Sequence, residues 1–273
     1  MKRHSYACLV QQANQPASTP LQNRTAMATP NIAELVIREI SPVITIFSKP
    51  FSRFGLLPFG GRSTAVKLST GDVWVLASTP LTEDTKATID KLGPVKWIIG
   101  ADAVHHLYLG QFKTVYPDAK VIGVAALVSK KAKEGLVLDG VYGADPVEAK
   151  YGFEEEIYAC YFDGFANKDI AFFHVASRTL IVADLLFNLP GTEQYSKAPR
   201  PSKSHVPLVG KIEPFGSLHK RFVWSQGKDK KAMARDAKTV LEWAPERVIM
   251  CHGDVIETSG TEAWAAAYSK YLA

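Results

Sequence analysis

The sequence predicts an α/β domain with helices packed outside a sheet, and three observations carry that reading. Short β-branched and aromatic runs alternate with helical stretches along the chain. Turn and stop signals such as Gly71-Asp72 and Gly93-Pro94 fall between those runs. With 273 residues, the chain is long enough to bury most of its apolar surface in one layered domain.

Residues 1–30 are rich in Gln, Asn, Ser, Thr, Ala and Pro and contain no acid. That composition reads as a disordered tail. A basic, acid-free start also fits a mitochondrial transit segment, and Met27 offers an alternative start. Order is expected from Ile32, giving one domain over 31–273. A strand is expected over 43–47, followed by a Gly/Pro-punctuated loop over 49–61. Strands over 63–68 and 73–77 form a hairpin about Gly71-Asp72. A helix follows over 82–92, capped by Thr82 and stopped by Gly93-Pro94. Next come a buried strand over 95–99, the His105-His106 segment, a short helix over 107–116 and a strand over 120–123. The second half predicts strands over 156–161, 170–174 and 179–183. Residues 187–228 have little periodicity and five prolines, and read as an irregular insert able to act as a lid. A helix over 230–243 presents Ala234, Ala237, Leu241 and Ala244 as its apolar stripe. The strand over 247–251 runs into His252-Gly253-Asp254, and a helix over 262–272 ends the fold.

Charge and cysteine content narrow the class. The net charge is +5, but the Lys-rich runs at 129–133 and 228–231 read as solvated helix faces. Nucleic acid is therefore not an expected partner. No stretch approaches the ~18 consecutive apolar residues of a membrane span, so a membrane is not expected either. Cys8, Cys160 and Cys251 are too few and too scattered for a disulfide framework, which points to a reducing, cytoplasmic compartment. Oligomeric state leaves no signal.

Three polar segments follow predicted strands: 101–106 with Asp102, His105 and His106, then Ala183-Asp184, then His252-Gly253-Asp254. Ligands and catalytic groups gather at strand ends in open α/β sheets, and imidazole with carboxylate suits a cation such as zinc. Taken singly, a His or Asp after a strand is more often a structural residue. Three at equivalent places point to one shared site.

The order hairpin, helix, strand, His-containing loop, helix, strand, then strand-Asp and strand-His-Gly resembles the metallo-β-lactamase-like superfamily. The resemblance covers roughly residues 43–270 and implies an αββα sandwich, two mixed sheets flanked by helices. In that family an HxHxDH motif follows the first site strand. Here Ala101 and Ala103 stand at its first two ligand positions, His105 at the Asp and His106 at the last His. Phe165 stands where a third histidine is usual. The resemblance leaves His105, His106, Asp184 and His252 as ligands for at most one Zn²⁺ or Fe²⁺, with Asp184 and His106 as catalytic residues. His105 and His106 are adjacent, so His105 either joins the ligands or supports them from behind. Ala101, Ala103 and Phe165 are expected to line the vacated half of the cavity.

Two functions of different class follow. One is a metal-dependent hydrolase acting on a small ester, lactone or thioester, with the insert as a lid. The other is a catalytically inactive member that binds a small molecule or a partner, holding no metal. Redox use of bound iron is a third variant, set against by the missing ligands. His174, His205 and His219 are expected to be bystanders. Lys49, Arg53 and Arg62 are expected in salt bridges, with an anion-holding role as the alternative. Asp163 and Asp169 are expected in hairpin turns.

Overall fold

Apolar runs buried on both sides build the sheets. The computed structural model describes residues 34–53, 57–198 and 212–273, all within a unit spanning Asn31–Ala273. The tail expected over 1–30, the onset at Ile32 and His205 lie outside the described residues.

The first half contains β1 (Val36–Ser41), β2 (Ile44–Lys49), a short ribbon of β3 (Ser52–Arg53) with β4 (Leu57–Pro58), β5 (Gly61–Lys67) and β6 (Val73–Leu76). After α1 (Glu83–Leu92) come β7 (Val95–Ile99), α2 (Leu109–Val115), β8 (Lys120–Val124), α3 (Ala125–Ala132) and β9 (Gly140–Tyr142). The first sheet runs β1-β2-β5-β6-β7-β8-β9, antiparallel as far as β6 and parallel beyond it. The second half contributes β10 (Ile157–Tyr161), β11 (Ile170–His174), β12 (Thr179–Val182), α4 (Ser217–Gln226), α5 (Lys230–Glu242), β13 (Arg247–Met250), α6 (Gly260–Ala267) and α7 (Ser269–Leu272). Its sheet runs β10-β11-β12-β13, with only the last pair parallel. Two mixed sheets flanked by helices are therefore present, as predicted. Among the described residues no helix is long and apolar enough to cross a membrane.

The period of two along the second sheet separates two cores. Ile170, Phe172, Ile181 and Ile249 join Ile98, Val121 and Trp74 between the sheets. Their neighbours Ala171, Leu180, Val182 and Val248 face the other way, onto Met233 and Val240 of α5 and Trp264 of α6. Fully burying one such large aliphatic side chain contributes about 1.5–3 kcal/mol.

Several elements differ from the sequence reading. β1 is a half-buried edge strand carrying Arg38 and Glu39, so its composition reads as polar. β9 is three residues long and leaves no pattern. α3 follows β8 directly, with no side-chain cap to announce it. The buried stripe of α5 is Ala232, Met233, Asp236, Ala237 and Val240. It is rotated from the predicted one, because the bulk of Met233 and Val240 outweighs the alanines. The insert is not wholly irregular either, since α4 lies within it, started at Gly216 without a side-chain cap.

α4 is anchored by a neutral histidine. His219 is fully buried, and its Nε2 accepts from the Phe187 amide at 2.9 Å. Burial pushes its pKa down to about 4. The unfolded chain therefore binds a proton near pH 6.5 that the native state refuses, and stability falls as pH drops through that window. We expect this group alone to remove roughly 2 kcal/mol between pH 7 and 4.5. Urea denaturation of the wild type and His219→Gln at both pH values tests this: the stability advantage of the wild type should shrink by that amount, and a pH-independent difference would refute it.

Candidate metal site

Strand geometry brings the polar segments together. β12 and β13 are parallel with Val182 opposite Met250, so Asp184 and His252, each two residues further on, leave adjacent strands at one level. The loop after β7 belongs to the other sheet. It is tied across by the Ala103 amide donating to Asn167 O at 2.9 Å and the Ile170 amide donating to Ala101 O at 3.0 Å.

His105, Asp184 and His252 present ligand atoms that all lie within 4.8 Å of one another. The two Nε2 atoms of the histidines are 3.1 Å apart. Asp184 Oδ1 is 3.3 Å from His252 Nε2 and 4.0 Å from His105 Nε2. The other ring nitrogens fix the tautomers. His252 Nδ1 donates to the Gly60 carbonyl at 2.7 Å. His105 Nδ1 donates to Asp102 Oδ2 at 2.9 Å. With both Nδ1 atoms protonated, two Nε2 lone pairs and a carboxylate oxygen face one point. Such a set repels itself unless a cation or an added proton lies between its members. Two imidazoles and one carboxylate, each braced from behind, suit a single divalent metal with open positions. The residues present thus fit one cation of the zinc or iron type.

The bracing is extensive. Asp102 is fully buried, and its Oδ1 accepts from the amides of Val104 at 2.7 Å and His105 at 2.6 Å. Asn167 Nδ2 donates to Asp184 Oδ2 at 2.5 Å. Asp169 accepts from the Asp184 and Leu185 amides at 2.6 and 3.1 Å, which sets the turn that presents Asp184. Burial lowers the pKa of His105, but the Asp102 and Asp184 charges outweigh it and hold the ring well above its ordinary value. Burial, then the charges of Asp102 and Asp184, push the Asp169 carboxyl well above the carboxylate range. The His252 turn needs Gly253, whose φ of +102° suits glycine and whose added Cβ would lie 2.2 Å from Asn188 O.

These groups border a cavity of about 530 Å³. Its walls include Phe51, Phe59, Phe187, Ile212 and Phe222, with Lys49 the lysine among the lining residues. The Phe187 ring stacks on His252 at 5.2 Å between centroids and 13° between planes.

Of the predicted ligands, the structure brings together His105, Asp184 and His252. His106 lines the same cavity but is not in that group among the described residues. Burial, then Lys131 and Lys130, lower its pKa. The adjacent histidines diverge because Asp102 holds the ring of His105. The expected vacated half is corrected. Ala101 and Phe165 are fully buried in the two cores, and neither they nor Ala103 line the cavity. Arg62 is buried in an ion pair with Glu193. Asp163 is exposed and pairs with Arg235 at 3.1 Å. His174 is a buried strand-end residue bonded to Ser177 Oγ at 2.7 Å. Asp169 was expected as a turn residue; its side chain instead supports the site. Asp102 and Asn167 were not anticipated. Asp102 has a readable signal, since an Asp can accept from amides two and three residues on. Asn167 has none, because its partner is 17 residues away.

No protein-family model matches the sequence, and no curated protein matches it. Solved structures do. A metallo-β-lactamase from Pontibacter korlensis superposes with a TM-score of 0.55 at 12% identity, covering 86% of this chain and 99% of that one. A metallo-β-lactamase from Hirschia baltica gives 0.55 at 10% identity, covering 87% and 98%. FIM-1 from Pseudomonas aeruginosa, in its mono-zinc form, gives 0.55 at 11% identity, covering 88% and 97%. The chain shares the fold of these metallo-β-lactamases.

Proposed function

We propose that the protein is a metal-dependent hydrolase holding one divalent cation at His105, Asp184 and His252, and acting on a small ester, lactone or thioester. The observation that carries this reading is the convergence of two Nε2 lone pairs and a carboxylate oxygen on one point. A zinc ion held there would supply Lewis acidity toward a carbonyl oxygen and toward water. The chain's own residues do the rest. Asp102 and the Gly60 carbonyl fix both imidazoles in the tautomer that presents Nε2. Asn167 and Asp169 orient Asp184. The phenylalanine walls exclude water and hold an apolar substrate body beside these groups. His106, which lines the cavity outside the ligand set, is assigned to contact substrate. The free thiols of Cys160 and Cys251 support a reducing, cytoplasmic setting.

Metal content tests the ligand set. Purified protein should carry or take up one equivalent of zinc by elemental analysis. Asp184→Ala and His252→Ala should each abolish uptake, whereas His106→Ala should keep the metal and lose about 10²-fold or more in turnover of a small ester. Protein that carries no metal, and gives no calorimetric signal with zinc, would instead support a non-catalytic binding member of the fold.

The bracing residue gives a separate measurement. Asp102→Asn keeps an acceptor for the backbone amides but replaces the carboxylate behind His105. We expect zinc affinity to fall by roughly 10–100-fold with the fold intact by circular dichroism. Unchanged affinity would show that the Asp102 contact does not support metal binding.

A further inference from the structure

The cavity is lined by a lysine that has no carboxylate in contact among the described residues. Lys49 ends β2 opposite Gly61, where it lines the cavity together with Gly61, Ser78 and Thr79. Its side chain is partly withdrawn from water, and burial lowers its pKa, opposed by the more distant charge of Glu34. Among the described residues no carboxylate oxygen lies within 4.0 Å of its ammonium. The segments outside them, 1–33, 54–56 and 199–211, contain no Asp or Glu, so no acidic side chain there can pair with it. Two arginines of the same sheet, Arg38 and Arg62, are by contrast both paired with Glu193. A half-desolvated ammonium with no carboxylate in contact costs free energy, and burying it beside an apolar wall raises that cost. An anionic ligand would offset it.

The apolar half of the ligand is also marked. Phe51, Val104 and Leu107 remain 44%, 38% and 63% exposed while lining the same cavity. Exposed large apolar side chains gathered on a pocket, rather than scattered singly, mark a binding surface. The cavity volume of about 530 Å³ lies in the range of small-molecule sites.

We infer that the substrate is a small amphiphilic anion, its carboxylate or phosphate group held by Lys49 and its apolar body by the phenylalanine walls. This deepens the hydrolase reading and rests on it for the bond that is cleaved, but not for the charge preference.

Calorimetry on the full chain, with and without one equivalent of zinc, tests the inference with three probes: 4-phenylbutyrate, phenyl phosphate and the neutral 4-phenylbutanamide. At least one anion should bind tenfold or more tighter than the amide, and the tighter anion identifies the carboxylate or the phosphate as the recognised group. Lys49→Gln should remove the preference, while Lys49→Arg should retain it. Equal binding of all three probes, or a preference undiminished in Lys49→Gln, would overturn the inference. Should the protein prove inactive on esters and free of metal, a Lys49-dependent anion preference in the metal-free chain would still uphold it while the hydrolase reading fell.

Discussion

The buried guanidinium of Arg62 ties together the parts of the chain that carry the site. Its Nη1 donates to the carbonyls of Met250 and Gly253 at 2.6 and 2.7 Å, on either side of His252. Its Nε donates to Ser48 Oγ at 2.9 Å, and its Nη2 pairs with Glu193 at 3.2 Å. Strands β2, β5 and β13 and the turn at Glu193 thus meet at one cation with no exposed surface. A buried charge is tolerated only when its donors are used, and removing one partner leaves the others desolvated and unpaired. The turn that presents His252 is correspondingly specified. Gln194 completes it, donating to Cys251 O and accepting from the Gly253 amide, while Asp254 accepts from the Thr192 and Glu193 amides.

Around this clamp the site is assembled from groups that repel one another. Asp102, Asp169 and Asp184 are all buried near His105. Their mutual repulsion is set against backbone amides aimed at Asp102 and Asp169, the Asn167 amide on Asp184, and the imidazole of His105. The excess of negative charge is what holds His105 ready for a proton or a metal ion. Loops at the ends of parallel strands carry these groups, so the ordering entropy of the cluster is met when the fold forms.

The residue Ala101 has a role in joining the sheets. Ala101 is fully buried and its carbonyl accepts from the Ile170 amide, joining the two sheets. What remains open is an apolar cavity with polar groups gathered at its base.

Much of the fold was legible because its signals are local. Thr82 caps α1 through the Thr85 amide, the run at 95–99 is β7 to the residue, and Asp184 and His252 follow apolar strands that could be read from composition. The elements that escaped notice were those without local signals, such as the uncapped helices α3 and α4. By itself, the sequence determined the order of the elements with local signals, the strand-end positions of Asp184 and His252, and that alanine stands at 101 and 103. Only the tertiary structure decided that His105 rather than His106 joins them. The choice between adjacent side chains depends on the direction of one ring, and that direction is set by the Asp102 contact and by the closure of two sheets onto the same edge. Ser48, Arg62 and Glu193 likewise meet only when segments up to 145 residues apart are brought together, a proximity that no local pattern encodes.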